Sequence, residues 1–354
     1  MKNKTLELVS VIIGCFIGAG FVSGREVAVY FSQFGLVSIA TSILQILLFY
    51  IFVKTCLDIG KKYKVYDNNM VYIVKKYNKI VFYIIMICTL INVGSMVAGS
   101  KTIGVIFGSN RLEWILPLCM LLLTFIFLCR KYSGLAMANF LLVPMLVILI
   151  LVISVTTCFT AGTMTLPDTN LFVNILGALG SSIVYVFFNM LLLGVLLIQI
   201  GHKYSYREIK SSAIISSIII GVLILIISMS IILSGDNVLS SDMPLLQESI
   251  NLDYYFSIVF AICQFCGIFT TILSSTFIAT NMIANKGVNY YLSMILVMIA
   301  GVIISFIGFA NIVNYLYKLT GALSFIFFAI LFKCLYIDPK CNAKKFVPVS
   351  VKQA

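Results

Sequence analysis

The sequence predicts an all-α membrane protein of ten transmembrane helices, and three observations predict it. First, 61% of its 354 residues are hydrophobic and only 10% are charged, against roughly 25% charged in soluble domains. A soluble fold of this size has too little interior to hide that apolar surface, whereas lipid solvates it. Second, the apolar residues fall into ten runs, most long enough for the roughly 20 residues a span needs. Third, loops rich in Lys and Arg alternate with loops that lack them, as the positive-inside rule requires.

The ten runs cover about 6–34, 36–60, 80–107, 113–130, 134–160, 172–200, 211–234, 254–284, 288–308 and 311–336. Lys2 and Lys4 precede the first; Lys61, Lys62, Lys64, Lys75, Lys76 and Lys79 fill the second loop. Arg130 and Lys131 follow run four, Lys203, Arg207 and Lys210 follow run six, and Lys286 follows run eight. The 161–171 loop carries Asp168, and the 235–253 loop carries Asp236, Asp242, Glu248 and Asp253, with no basic residue in either. This alternation places both termini in the cytoplasm and the chain in the cell membrane; Arg111 is a slight exception. A single integral membrane domain is expected over 1–354, with 337–354 as a cytoplasmic tail.

Other classes are excluded on similar grounds. The net charge of +12 is spread over short loops and forms no nucleic-acid-binding face. Nine of ten cysteines lie within or at the ends of apolar runs, where free Cys acts as a small hydrophobe. Cys263 and Cys266 form a CxxC with no second pair and no nearby His, so no metal or redox role is expected. Lys2 and Lys4 before an apolar run imitate a signal peptide, but the pattern continues to Phe34, so an uncleaved first span is expected. Asp242-Met243-Pro244 is a helix-start signal and predicts a short helix over the outer face.

Ten spans divide into two sets of five, about 6–160 and 172–336. An odd-numbered repeat inserts its second copy inverted, as in many secondary transporters. Span one carries Gly14, Gly18, Gly20 and Gly24, four glycines in eleven residues, each weakening a helix by about 1 kcal/mol relative to Ala. Its twenty-nine residues, as one helix, would reach roughly 43 Å against a ~30 Å hydrocarbon core. A break near Gly18–Gly20 accommodates both facts, although glycines also permit close helix packing. Span six carries Gly177, Gly180, Ser181, Ser182 and Tyr185, then Phe187-Phe188-Asn189. A mid-membrane Asn needs partners, so a matching interruption is expected there, and with it a solute site.

The stretch Gly14-Cys15-Phe16-Ile17-Gly18-Ala19-Gly20-Phe21-Val22-Ser23-Gly24-Arg25-Glu26 resembles the start of bacterial YkvI-type membrane proteins. These are relatives of the amino acid–polyamine–organocation transporters, which share the LeuT-like 5+5 inverted-repeat fold. The resemblance implies that Gly18, Ala19 and Gly20 present backbone amides to a substrate carboxylate, with Tyr185 and Asn189 nearby. It also implies a sodium site built from the carbonyls of Gly14, Ile17 and Thr271 and the hydroxyls of Ser274 and Ser275. Oxygen ligands suit a hard cation; the alternative for the two serines is back-bonding to their own helix. In some relatives a Lys in helix five replaces the ion, but span five has none. By analogy with the central third helix of the fold, Asn92 faces the cavity.

Arg25 and Glu26 follow the break. Glu26 is a candidate for proton coupling or amine binding, and Arg25 for the outer water interface. Lys318, beside Asn311, Asn314 and Tyr317, either pairs with Glu26 as a gate or extends to the surface; Lys101 is a weaker candidate. The expectation is a sodium- or proton-coupled transporter of an amino acid or related solute, with lipid and solute as partners and no cofactor beyond a possible sodium ion. A solute sensor on the same fold is the alternative. No ring of acidic residues points to a channel, and with His202 as the single His and no HExxH or GxSxG, no enzyme is expected.

Overall fold

Large apolar residues coat the outside of this protein as well as fill its inside, and buried polar and small residues mark the faces turned inward. In α4 (Val37–Tyr63), Ser38, Thr41, Ser42, Gln45 and Gly60 are buried, while Leu36 just before it and Ile39, Ile43, Leu47 and Ile51 along it are exposed. The exposed residues recur mainly at the four-residue spacing of one helix face. In water this face would be a liability; in lipid it is solvated, while the inward hydroxyls of Thr41 and Ser42 donate to the Ser38 carbonyl of their own helix (3.2 and 2.7 Å).

The computed structural model describes residues 4–63, 77–107, 111–129, 135–162 and 171–337, which are nearly all helical. Lys64, Lys75, Lys76, Arg130, Lys131, Asp168, Cys341 and the basic tail lie outside the described residues. The N-terminal run is three pieces: α1 (Lys4–Phe16), α2 (Ala19–Val22) and α3 (Arg25–Tyr30). There follow α4, α5 (Asn78–Ile106), α6 (Leu112–Cys129), α7 (Leu135–Thr160), α8 (Leu171–Ile200) and α9 (Tyr206–Ser234). The short α10 (Asp236–Ser240) and α11 (Pro244–Leu252) precede α12 (Tyr254–Ala284) and α13 (Tyr290–Ser305). A last apolar stretch joins α14 (Phe309–Asn311), a π-helical turn at Ile312–Leu316 and α15 (Tyr317–Phe332).

Seven of these segments are long and apolar enough to cross a membrane, and Pro144–Thr160 and Tyr290–Ser305 are shorter apolar helices. The protein is therefore a multi-pass membrane protein. Its helices form two packed groups. In one, α4 lies against α8 and α9, and α1 against α9; in the other, α5 lies against α6, α12 and α13, and α12 against α13. The helix α7 bridges to α9 and α12, while α15 packs on α8.

One expectation fails: span six is not interrupted. Helix α8 runs unbroken over 30 residues. Asn189 satisfies its own amide by donating to the Tyr185 carbonyl one turn back (3.1 Å), so it needs no gap in the helix. Gly177 gives room to the Phe34 ring, 2.9 Å from where a Cβ would stand, and thus serves close packing.

The α4–α8 crossing depends on missing side chains, because a Cβ at Gly60 would run into the Ile198 carbonyl and one at Gly201 into the Leu57 carbonyl. Gly60→Val should cost about 1–3 kcal/mol of stability, read as a lowered thermal midpoint in detergent. Gly180→Ala, where a Cβ meets nothing within 4 Å, should raise it by up to about 1 kcal/mol.

Candidate functional site

The break in the first run defines the site. The Gly18 N–H donates to the Phe16 carbonyl at 2.8 Å, two residues back. In a regular helix it would reach the Gly14 carbonyl, which thereby loses its usual donor. The ladder resumes with Val22 N–H to Gly18 O (3.0 Å) and stops again at Gly24, whose φ of 79° is a conformation that favours glycine. The expected break at Gly18–Gly20 is where the structure has it, with Ile17 and Gly18 outside helical structure. The glycine pattern made this part legible.

Beyond the break, residues 20–32 are all buried, including two charged side chains. Arg25, 8% exposed, reaches the end of the molecule that carries α10 and α11. Its Nη1 donates to the carbonyls of Leu239 (3.2 Å), Ser240 (3.2 Å) and Ser241 (2.8 Å), and its Nη2 to Asn314 Oδ1 (3.2 Å). A guanidinium at the carbonyl end of α10 is a charge-assisted clasp. The Leu245 N–H completes it by donating to the Ser23 carbonyl at 3.0 Å. The short helix predicted at Asp242-Met243-Pro244 is thus α11, begun by Pro244 and seated on the α2–α3 junction. Beside the clasp is a depression of about 530 Å³ lined in part by Arg25, Gln33, Asp236, Asn314 and Lys318.

Glu26, 4% exposed, turns the other way. It lies against Gly20, where a Cβ would collide with its carboxyl, and accepts a hydrogen bond from the Tyr185 hydroxyl (3.2 Å). Aromatic rings enclose this pair. Tyr185 packs on Tyr30 (centroids 5.0 Å apart), Phe31 (5.3 Å) and Phe16 (6.1 Å), and Phe188 stacks on Tyr317 (4.3 Å). The Tyr317 hydroxyl shares a 2.6 Å hydrogen bond with Ser95. The sequence alone did not show Tyr30 and Tyr317 as neighbours of Glu26, nor Phe188 and Ser95 as the groups packed behind them. Tyr30, four residues after Glu26 and so on the same helical face, was the one available signal.

The proposed Lys318–Glu26 gate does not form. Lys318 is exposed on α15, and the side-chain ion pairs among the described residues are Lys54–Asp58 (2.6 Å) and Lys101–Glu113 (3.0 Å). Lys318 takes its other expected course and extends to the surface. Lys101, held also over the Trp114 ring at 4.6 Å, ties α5 to α6 near their ends.

The candidate ion ligands lie on α1, the break and α12, and α12 packs against α2. Ser274 donates to the Thr270 and Thr271 carbonyls, both at 3.0 Å, which is the back-bonding alternative. Ser275 accepts from Asn92 Nδ2 (2.9 Å), so two residues assigned separate roles are in contact. Both hydroxyls retain oxygen lone pairs for a cation, and the residue types fit sodium. Among the described residues no group of three or more His, Cys, Asp or Glu could hold a metal ion.

The arrangement has the fold of LeuT-like transporters. Among solved structures, it matches MhsT in complex with L-phenylalanine at a TM-score of 0.60 and 15% identity, over 93% of this chain and 85% of the other. It also matches a manganese transporter of Eremococcus coleocola in complex with an aromatic bis-isothiourea substituted compound, at a TM-score of 0.54 and 12% identity, over 96% and 80%. Such low identities establish the fold alone. No protein-family description matches the chain, and no curated protein sequence does.

A second buried carboxyl belongs to the α10–α11 cap. Glu248, 1% exposed, accepts from Ser234 Oγ at 3.2 Å, and burial pushes its carboxyl up to about 8. The folded state thus holds this proton after the unfolded chain has lost it, so stability falls as pH rises from about 4.5 to about 8. Glu248→Gln should flatten part of that fall in a pH series of thermal midpoints. Tyr185→Phe should lower the midpoint at fixed pH by the equivalent of about 1–2 kcal/mol, the worth of a hydrogen bond to a buried acid.

Proposed function

We propose that the protein is a secondary active transporter that moves an amino acid or related small organic solute by alternating access, driven by a sodium or proton gradient. The observation that carries this reading is the break at Ile17–Gly18, beyond which the partners diverge. Helix α1 packs chiefly on α9 and also on α7, whereas α2 meets α12 and α5, and α3, besides α8 and α9, is pinned to α10 and α11. A span divided in this way can hinge at its centre, and irregular backbone at membrane depth persists where it lines a cavity or binds something.

In this reading the chain is one integral domain of ten spans in the cell membrane, with cytoplasmic termini. Counted in order, the two packed groups are spans one, two, six and seven and spans three, four, eight and nine. Each group takes two neighbouring spans from each half, which supports repeats at about 6–160 and 172–336. Among the described residues the interrupted span is the first, and its counterpart α8 is whole. The amides of Ala19 and Gly20, with that of Gly18 once it leaves the Phe16 carbonyl, receive the solute carboxylate, with Asn92, Tyr185 and Asn189 bordering it. Gly14, Ile17, Thr271, Ser274 and Ser275 take sodium where sodium is the driving ion. The Arg25 clasp is the outer gate, closed in this conformation.

Uptake into proteoliposomes, with a panel of amino acids and amines under imposed sodium or proton gradients, tests the reading. Accumulation of at least one solute under one gradient is expected. Silence across the panel rejects transport, and saturable binding without flux marks a solute sensor instead. Ser275→Ala should raise the sodium concentration for half-maximal uptake about tenfold, equivalent to about 1.4 kcal/mol, and more than Glu26→Gln does. Unchanged sodium dependence in Ser275→Ala rejects the assigned ion site.

A further inference from the structure

Glu26 is a carboxyl enclosed on every side at the centre of a membrane protein. It follows the break directly, lies against Gly20, is 4% exposed and receives one hydrogen bond, from Tyr185. No basic side chain among the described residues forms an ion pair with it. Arg25, its neighbour in sequence, is committed to the carbonyls of Leu239, Ser240 and Ser241 and to Asn314.

Three hydroxyls surround Glu26. They are the hydroxyls of Tyr185 on α8, Tyr30 on α3 itself and Tyr317 on α15. Tyr30 is fully buried with its hydroxyl unpartnered, and Tyr317 is tied to Ser95. The other neighbours carry no charge toward it: α9 offers Ser228 to Ser32, and Glu248 on α11 is held by Ser234. An ionised carboxylate shut in such a place without a cation costs several kcal/mol. A neutral carboxyl does not.

We propose that Glu26 is a proton-binding site, occupied in this closed conformation and emptied to water when α3 parts from α8. On opening, the carboxyl O–H bond breaks heterolytically and the proton passes to a water molecule. The carboxylate left behind is solvated by the water that enters. Closure forces the proton back, because the aromatic shell has no place for the charge. This rests on the transporter reading for its purpose: protonation at Glu26 then ties closure of the outer gate to a proton gradient. It stands independently of whether the oxygens of α1 and α12 take sodium.

Infrared difference spectroscopy of the purified protein in liposomes tests the site without any solute. At neutral pH the wild type should show a protonated-carboxyl band, shifted in deuterium oxide, that is lost in Glu26→Gln. Glu248 contributes equally to both proteins and cancels. Tyr185→Phe should move the same band to higher frequency as its hydrogen bond is removed, which identifies the carboxyl even if Glu26→Gln folds poorly. A wild-type minus Glu26→Gln spectrum with carboxylate bands only, or a band indifferent to Tyr185→Phe, overturns the proposal. A present band with a silent uptake panel would reject transport and keep the site; an ionised Glu26 with active uptake would do the reverse.

Discussion

The structure depends on one constraint: backbone groups freed inside a membrane must find partners. At Gly18 the helical ladder slips, with the N–H bonding two residues back. Everything after the slip is arranged to keep the freed segment covered. Residues 20–30 of the α2–α3 segment are buried, capped by α11 through Leu245 and Ser23. Its flank is closed by the rings of Tyr185 and Tyr30. The two charges that follow are separated by direction, Arg25 to the carbonyls at one end and Glu26 into the aromatic interior.

Glycine has two different jobs in this fold. At Gly24 it permits a left-handed backbone that other residues adopt only with strain. At Gly20, Gly60 and Gly201 it removes a side chain where another group must stand. The second job sets the spacing of α4 against α8 and gives Glu26 its place against α2. Small residues are the means of close approach where no hydrophobic effect drives helices together.

The cap formed by α10 and α11 links the surface to the centre. Arg25 touches both the α10 carbonyls and Asn314 in the π-helical turn before α15. That turn leads directly into Tyr317, which stacks on Phe188 next to Tyr185. A continuous chain of contacts thus runs from the α10–α11 cap to the Glu26 carboxyl.

The sequence by itself determined the membrane class, the position of nearly every helix, the break in the first span and the short helix begun at Pro244. Each of these is local: apolar run length, glycine density and a proline at a helix start act over one or two turns. Tertiary structure alone decided that α8 stays whole, because Asn189 finds its partner in its own helix. It also decided that Lys318 lies at the surface and that Asn92 meets Ser275, 183 residues away. The enclosure of Glu26 was not legible either, since its neighbours come from three separate segments of the chain. Which side chains share an interior is settled by how helices pack.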